Sequence, residues 1–148
     1  WWQNRYHQSM RIVVDTNVFV GACLGSEVCI EVLRACLMGR ATPVMATALL
    51  AEYESLLSRP ELMHRSRLNA AEREELLDIL LARCQWVRIF YGWRPNLPDE
   101  GDNHLVELGV AAAAEAIVTR NVRDLSRPEL RFPALAILSP EQFLARLP

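Results

Sequence analysis

The sequence predicts an α/β domain built on a parallel sheet of about five strands. Three observations carry that expectation. Short aliphatic runs alternate with helical patterns throughout residues 10–148, which is the signature of βαβ units. The first run, Ile12-Val13-Val14, has no polar alternation and so reads as a strand buried on both faces, as in parallel sheets. Asp15 follows it at once, so a carboxylate emerges at the carboxyl edge of the sheet, where open α/β folds bind ligands.

The elements follow in order. Arg11 to Val14 is the first strand, with Thr16 and Asn17 expected to fix the loop after it through side-chain-to-backbone hydrogen bonds. Ser26 is placed to cap a helix running to Met38, with Val28, Val32, Leu33 and Cys36 on one face and Gly39 ending it. Thr42 to Ala46 is a second strand. Thr47 then caps a helix bearing Leu49, Leu50, Tyr53, Leu56 and Leu57, stopped before Pro60. Asn69 opens a helix from Ala70 to Cys84, and Gln85 to Phe90 is a third strand, with Trp86 expected in the core. After a loop containing Pro95 and Pro98, Asp102 caps a helix to about Ala114. Ala116 to Thr119 and Leu135 to Leu138 are the last strands. Ser139-Pro140-Glu141 opens a final helix, with Pro at its first position.

At 148 residues, 51% hydrophobic and 23% charged, the chain has room for a core without staples and none of the bias of disordered segments. Residues 1–9 lack an apolar signal-peptide core and are expected to be a leader, an expression remnant or an over-called start, leaving 10–148 as one domain. No apolar stretch approaches the roughly 18 residues of a membrane span; the richest, Val110 to Val118, is broken by Glu115. No membrane association and a cytoplasmic location are the expectations. Cys23, Cys29, Cys36 and Cys84 show no CxxC spacing and read as buried free thiols. His7, His64 and His104 are too scattered to form a metal set by themselves. All 16 basic residues are Arg, whose forks match phosphate geometry, although a GC-rich genome is the better explanation of the bias. The net charge is −2, and a group of carboxylates lowers net charge without forbidding an Arg-lined rim.

Asp15 is one of four such acids. Glu52 lies one turn into the helix after the second strand, Asp102 at a helix start, and Asp124 after the fourth strand. Residues after the first, second and fourth strands of a right-handed parallel sheet share one edge, and Asp102 joins them if the long loop before its helix crosses the top of the sheet. Carboxylates gathered there must share protons or hold a cation, and an oxygen-only set suits Mg²⁺ or Mn²⁺ rather than zinc. Such an ion engages a phosphodiester and activates water, so hydrolysis of a nucleic-acid backbone is the expected reaction class. Thr119 and Asn17 are expected to support the acids, Asp99 to be a loop charge beside them, and Arg120 and Arg123 to meet phosphates.

Val13-Val14-Asp15-Thr16-Asn17-Val18-Phe19, Leu50-Ala51-Glu52-Tyr53 with Leu57-Ser58-Arg59-Pro60, and Asp99-Glu100-Gly101-Asp102-Asn103 resemble segments of PIN-domain proteins. So do Ile117-Val118-Thr119-Arg120-Asn121-Val122-Arg123-Asp124-Leu125 and Leu138-Ser139-Pro140-Glu141-Gln142-Phe143-Leu144. Each motif is weakly specific, but five in order across residues 11–144 are strong, and the bacterial toxin-like (VapC-like) branch is the nearest in pattern. The resemblance implies a three-layer α/β/α sandwich and a Mg²⁺- or Mn²⁺-dependent endoribonuclease acting on RNA as the toxin of a toxin–antitoxin pair. It also implies a cognate antitoxin and a homodimer. Its metal-binding and catalytic acids carry over as Asp15, Glu52 and Asp102. The family's fourth acid falls two residues after the strand-four Thr, where this chain has Asn121; either the Asn121 amide oxygen or Asp124, three further on, takes its place. That departure leaves a second expectation standing, a catalytically weak module that binds RNA or protein. A haloacid-dehalogenase-type phosphoryl-transfer site is disfavoured, because Asn17 stands where its second Asp belongs. A receiver-type site is disfavoured because the chain has no Lys.

Overall fold

A computed structural model describes residues 9–89, 100–125 and 134–148, with 100–103 described as helix backbone only. The strands are β1 (Met10–Val14), β2 (Ala41–Met45), β3 (Gln85–Trp86), β4 (Ala116–Val118) and β5 (Ala136–Leu138). They form one sheet of order β3-β2-β1-β4-β5, with every pairing parallel. Eight helices connect and follow them among the described residues: α1 (Thr16–Cys23), α2 (Glu27–Leu37), α3 (Thr47–Leu57), α4 (Pro60–Met63), α5 (Ala70–Arg83), α6 (Glu100–Ala111), α7 (Val122–Leu125) and α8 (Pro140–Arg146).

The chain winds outward from β1 to β2 and β3, then returns to add β4 and β5 on the other side of β1. Right-handed crossovers therefore put helices on both faces: α2 packs with α5 and α8, while α6 lies against β1, β2 and β4. Ile12, Val13, Ala116, Ile117 and Val118 are fully buried between these layers, as the unalternating first strand required.

Local chemistry explains several boundaries. Asn69 and Ser139 each form a capping box, with Glu72 and Gln142 respectively returning the bond. Ser26 accepts from the Cys29 N–H and caps α2. Gly39 takes φ +78° just beyond that helix, a conformation costly for any residue with a Cβ. The cysteines are free thiols, three buried and Cys84 half-buried; burial pushes Cys36 up to about 12, so it is not a thiolate.

Five expectations are corrected. Thr16 and Asn17 do not sit in a loop but begin α1, whose residues are so uniformly buried and apolar that no amphipathic period marks it. Thr47 is the first residue of α3, not its cap; Ala46 holds that position. Asp102 lies within the first turn of α6 rather than before it. Among the described residues the third strand is limited to Gln85 and Trp86 at the edge of the sheet, with one further bond from the Val87 N–H to the Met45 carbonyl, and Phe90 lies outside the described residues. Trp86, on that edge strand, is 51% exposed instead of core. Among the described residues, no helix is long and apolar enough to cross a membrane.

Candidate active site

The sheet order changes direction at β1, and the crevice between β1 and β4 opens at their carboxyl ends. Parallel register pairs Val14 with Val118, so the next residues, Asp15 and Thr119, are neighbours at the edge. The Asp15 N–H still donates to the Val118 carbonyl at 2.9 Å, and the Thr119 N–H to Leu138 at 2.9 Å. Backbone pairing thus fixes both residues before their side chains begin.

Asp15 is 7% exposed and Thr119 fully buried. The Thr119 hydroxyl donates to Asp15 Oδ2 at 2.7 Å, and the Asn17 amide donates to the same oxygen at 3.3 Å. Thr16 Oγ1 lies 3.3 Å from Asp15 Oδ1. Asp15 occupies the N-cap position of α1 but makes no side-chain capping bond, so helix capping does not account for it. Burial raises its pKa above the ordinary carboxylate value of 3.8, and the nearby Glu52 charge adds to that; bonds from Thr119 and Thr16 oppose it.

Glu52 arrives from α3. The buried Tyr53 beside it donates its hydroxyl proton to the Val14 carbonyl at 2.6 Å and packs its ring 5.5 Å from Phe19. That anchor pins α3 to the end of β1 and turns Glu52 towards Asp15. Thr16 Oγ1 donates to Glu52 Oε1 at 2.9 Å, so one hydroxyl lies between the two carboxylates. On the other side, His104 Nε2 is 2.5 Å from Glu52 Oε2. This bond is the main cause that lowers the Glu52 pKa below 4.5, against the opposing effect of burial, with Thr16 and the charge of Arg59 helping.

Beyond Thr119 the chain continues into a polar relay. The Asn121 N–H donates to Thr119 Oγ1 at 3.0 Å, and the Asn121 amide donates to Asp124 Oδ2 at 2.8 Å. The Arg120 N–H donates to Asn17 Oδ1 at 3.1 Å, while the side chains of Arg120 and Arg123 are exposed. Arg120 extends over α1, its Nη1 just 2.7 Å from where a Cβ on Gly21 would sit.

Asp15, Glu52, Asn17, Thr119 and Arg120 are therefore brought to one edge, with Asn121 and Asp124 joined to them through Thr119. Asp99 and the side chain of Asp102 lie outside the described residues; the backbone of Asp102 is on the first turn of α6, two residues before His104. Thr16, expected to bond backbone, instead bonds a carboxylate side chain, and His104 and Tyr53 carry no site expectation from sequence. Thr16 adjoins the leading acid and Tyr53 adjoins Glu52, the signals that mark them; His104 follows Asp102 by two.

Among the described residues no three His, Cys, Asp or Glu side chains are grouped to hold a metal ion. Two carboxylates that share one hydroxyl, one of them buried, nevertheless fit a hard dication that keeps several waters and takes one or two carboxylates.

Residues 11–123 match the PIN domain family. No curated protein matches the chain significantly. Among solved structures, the chain is similar to the "Crystal structure of VapBC2 from Rickettsia felis bound to a DNA fragment from their promoter". The TM-score is 0.57 and the identity 18%, over 88% of this chain and 98% of that one, a likeness of fold. With the match spanning most of this chain and the parallel five-stranded sheet in place, the chain belongs to the PIN-domain family.

Proposed function

We propose that this protein is a divalent-metal-dependent endoribonuclease that hydrolyses RNA phosphodiesters and serves as the VapC-like toxin of a toxin–antitoxin pair. PIN domains are generally nucleases and typically use divalent metal ions. The observation that carries the reading is the approach of Asp15 and Glu52 to a single hydroxyl, Thr16 Oγ1, from elements 37 positions apart in sequence.

Asp15 and Glu52 hold Mg²⁺ or Mn²⁺, with Asp102 as the third acid and Asp124 or the Asn121 amide oxygen completing the set. When bound, the ion supplies a water of lowered pKa and positive charge for the leaving oxygen. Thr119 and Asn17 orient Asp15 from behind, and Thr16 sets the spacing of the two carboxylates. Arg120 and Arg123 meet phosphates flanking the scissile bond. A cognate antitoxin and a second copy of the chain are the proposed partners; an adjoining reading frame for a small protein that forms a stable complex with this one supports the pairing.

The test is cleavage of single-stranded and structured RNA with Mn²⁺ or Mg²⁺ present. Internal cuts that require the metal and disappear in Asp15→Asn and Glu52→Gln support the reading. Metal-dependent cleavage unchanged by Asp15→Asn refutes the role of Asp15. A second reading, a catalytically weak module that binds RNA or protein, is favoured by one contact: the Asn121 amide is bonded to Asp124 Oδ2, and no carboxylate stands at position 121. RNA binding without metal uptake or turnover selects that reading.

A further inference from the structure

Glu52 is gripped at both oxygens. Thr16 has one hydroxyl proton, and its oxygen lies 2.9 Å from Glu52 Oε1 and 3.3 Å from Asp15 Oδ1. One proton cannot satisfy both carboxylates, so Thr16 alone does not fix Glu52. The second grip comes from His104 Nε2 on Oε2 at 2.5 Å, from the start of α6 across to α3.

The histidine is held at some cost. Its side chain is 15% exposed, and Nδ1 is buried with no hydrogen-bond partner among the described residues. A buried polar atom left without a partner forfeits its hydration with no hydrogen bond in return. The geometry suits the Nε2–H form of the ring, which donates to Glu52 and leaves Nδ1 bare. A free glutamate loses rotamer freedom on being fixed, and Glu52, 32% exposed in its side chain, has solvent within reach. Without the imidazole it has a single shared proton to hold it towards Asp15. The same bond ties the N-terminal end of α6, whose first turn carries Asp102, to the helix that carries Glu52.

We infer that His104 is a positioning residue, which locks the Glu52 carboxylate against Asp15 and touches neither substrate nor cation. The inference rests on the reading of Asp15 and Glu52 as the pair that holds a divalent ion, and the experiment separates the two. Mn²⁺ alone is titrated calorimetrically into the full chain. His104→Ala is expected to weaken uptake by about 10- to 100-fold, as loss of an orienting partner does. His104→Gln, which keeps a donor, is expected to restore most of it. Glu52→Gln/His104→Ala is expected to bind no more weakly than Glu52→Gln, because the effect runs through Glu52.

A readout without metal accompanies these. In the metal-free protein the His104 Nε2–H proton gives a downfield NMR resonance, and Glu52→Gln removes it. Uptake by folded His104→Ala equal to wild type overturns the inference and leaves the cation site standing; so does an additive double variant. If wild type takes up no Mn²⁺, the cation reading fails and the inference with it. If His104→Ala does not fold, the His104→Gln titration and the resonance decide: weak uptake by a folded Gln variant, or no such resonance, overturns it.

Discussion

The end of β1 and the first turn of α7 both bring an aspartate to the carboxyl edge of the sheet, yet their surroundings differ. Asp15 is buried, bonded by Thr119 and Asn17 with the Thr16 hydroxyl 3.3 Å away, and its pKa is raised. Asp124 is partly exposed and takes its bond from the Asn121 amide. A charge that is costly to bury and is still given several donors marks a site organised around it; a half-exposed acid bonded to a neighbour three residues away stabilises a turn as readily. The lesson is that position at the sheet edge is shared, while enclosure is not.

Asp15→Asn breaks the comparison most severely. RNA cleavage is expected to fall on the order of 10³-fold or more, read as initial rates with Mn²⁺. Stability moves the other way. The folded pKa of Asp15 is raised above its ordinary value of 3.8, so the favourable linkage is complete below that value and is lost as pH rises through the folded pKa. At neutral pH the ionised group is a net cost; the variant is expected to melt higher at pH 7, with the gain shrinking towards pH 3.8 in a series of thermal melts.

Thr119→Val comes next. It removes the 2.7 Å bond to Asp15 and strips the Asn121 N–H of its acceptor. The loss in denaturant unfolding is expected to be about 2–3 kcal/mol. Gly21→Ala is milder: its Cβ meets Arg120 Nη1 at 2.7 Å and Cys29 Sγ at 2.8 Å. Overpacking of this kind costs about 1–3 kcal/mol, and the displaced guanidinium is expected to reduce the salt dependence of RNA binding by about one phosphate contact. The smallest effect belongs to Asp124→Asn, with stability expected within about 0.5 kcal/mol of wild type. A loss of cleavage there as large as for Asp15→Asn abolishes the distinction between the two aspartates.

Much of the fold was legible because its signals are local. The Asn69–Glu72 and Ser139–Gln142 boxes, the aliphatic run before Asp15 and the stop at Gly39 each depend on residues a few positions apart. Helix α1 was not legible, since a segment buried nearly all round has no period to detect. The place of β3 at the sheet edge depends on strand order, which no single strand encodes. At the site, the shared edge of Asp15 and Glu52 could be argued from chain direction alone. The His104–Glu52 contact could not, because it spans 52 positions and depends on how α6 crosses α3.

The most direct measurement is a crystal structure of the protein soaked with Mn²⁺, with data collected for the anomalous signal of that ion. A peak within coordination distance, about 2.0–2.2 Å, of carboxylate oxygens from both Asp15 and Glu52 is the predicted result. Clear carboxylate density with no peak between them, or Mn²⁺ bound only elsewhere, contradicts the account.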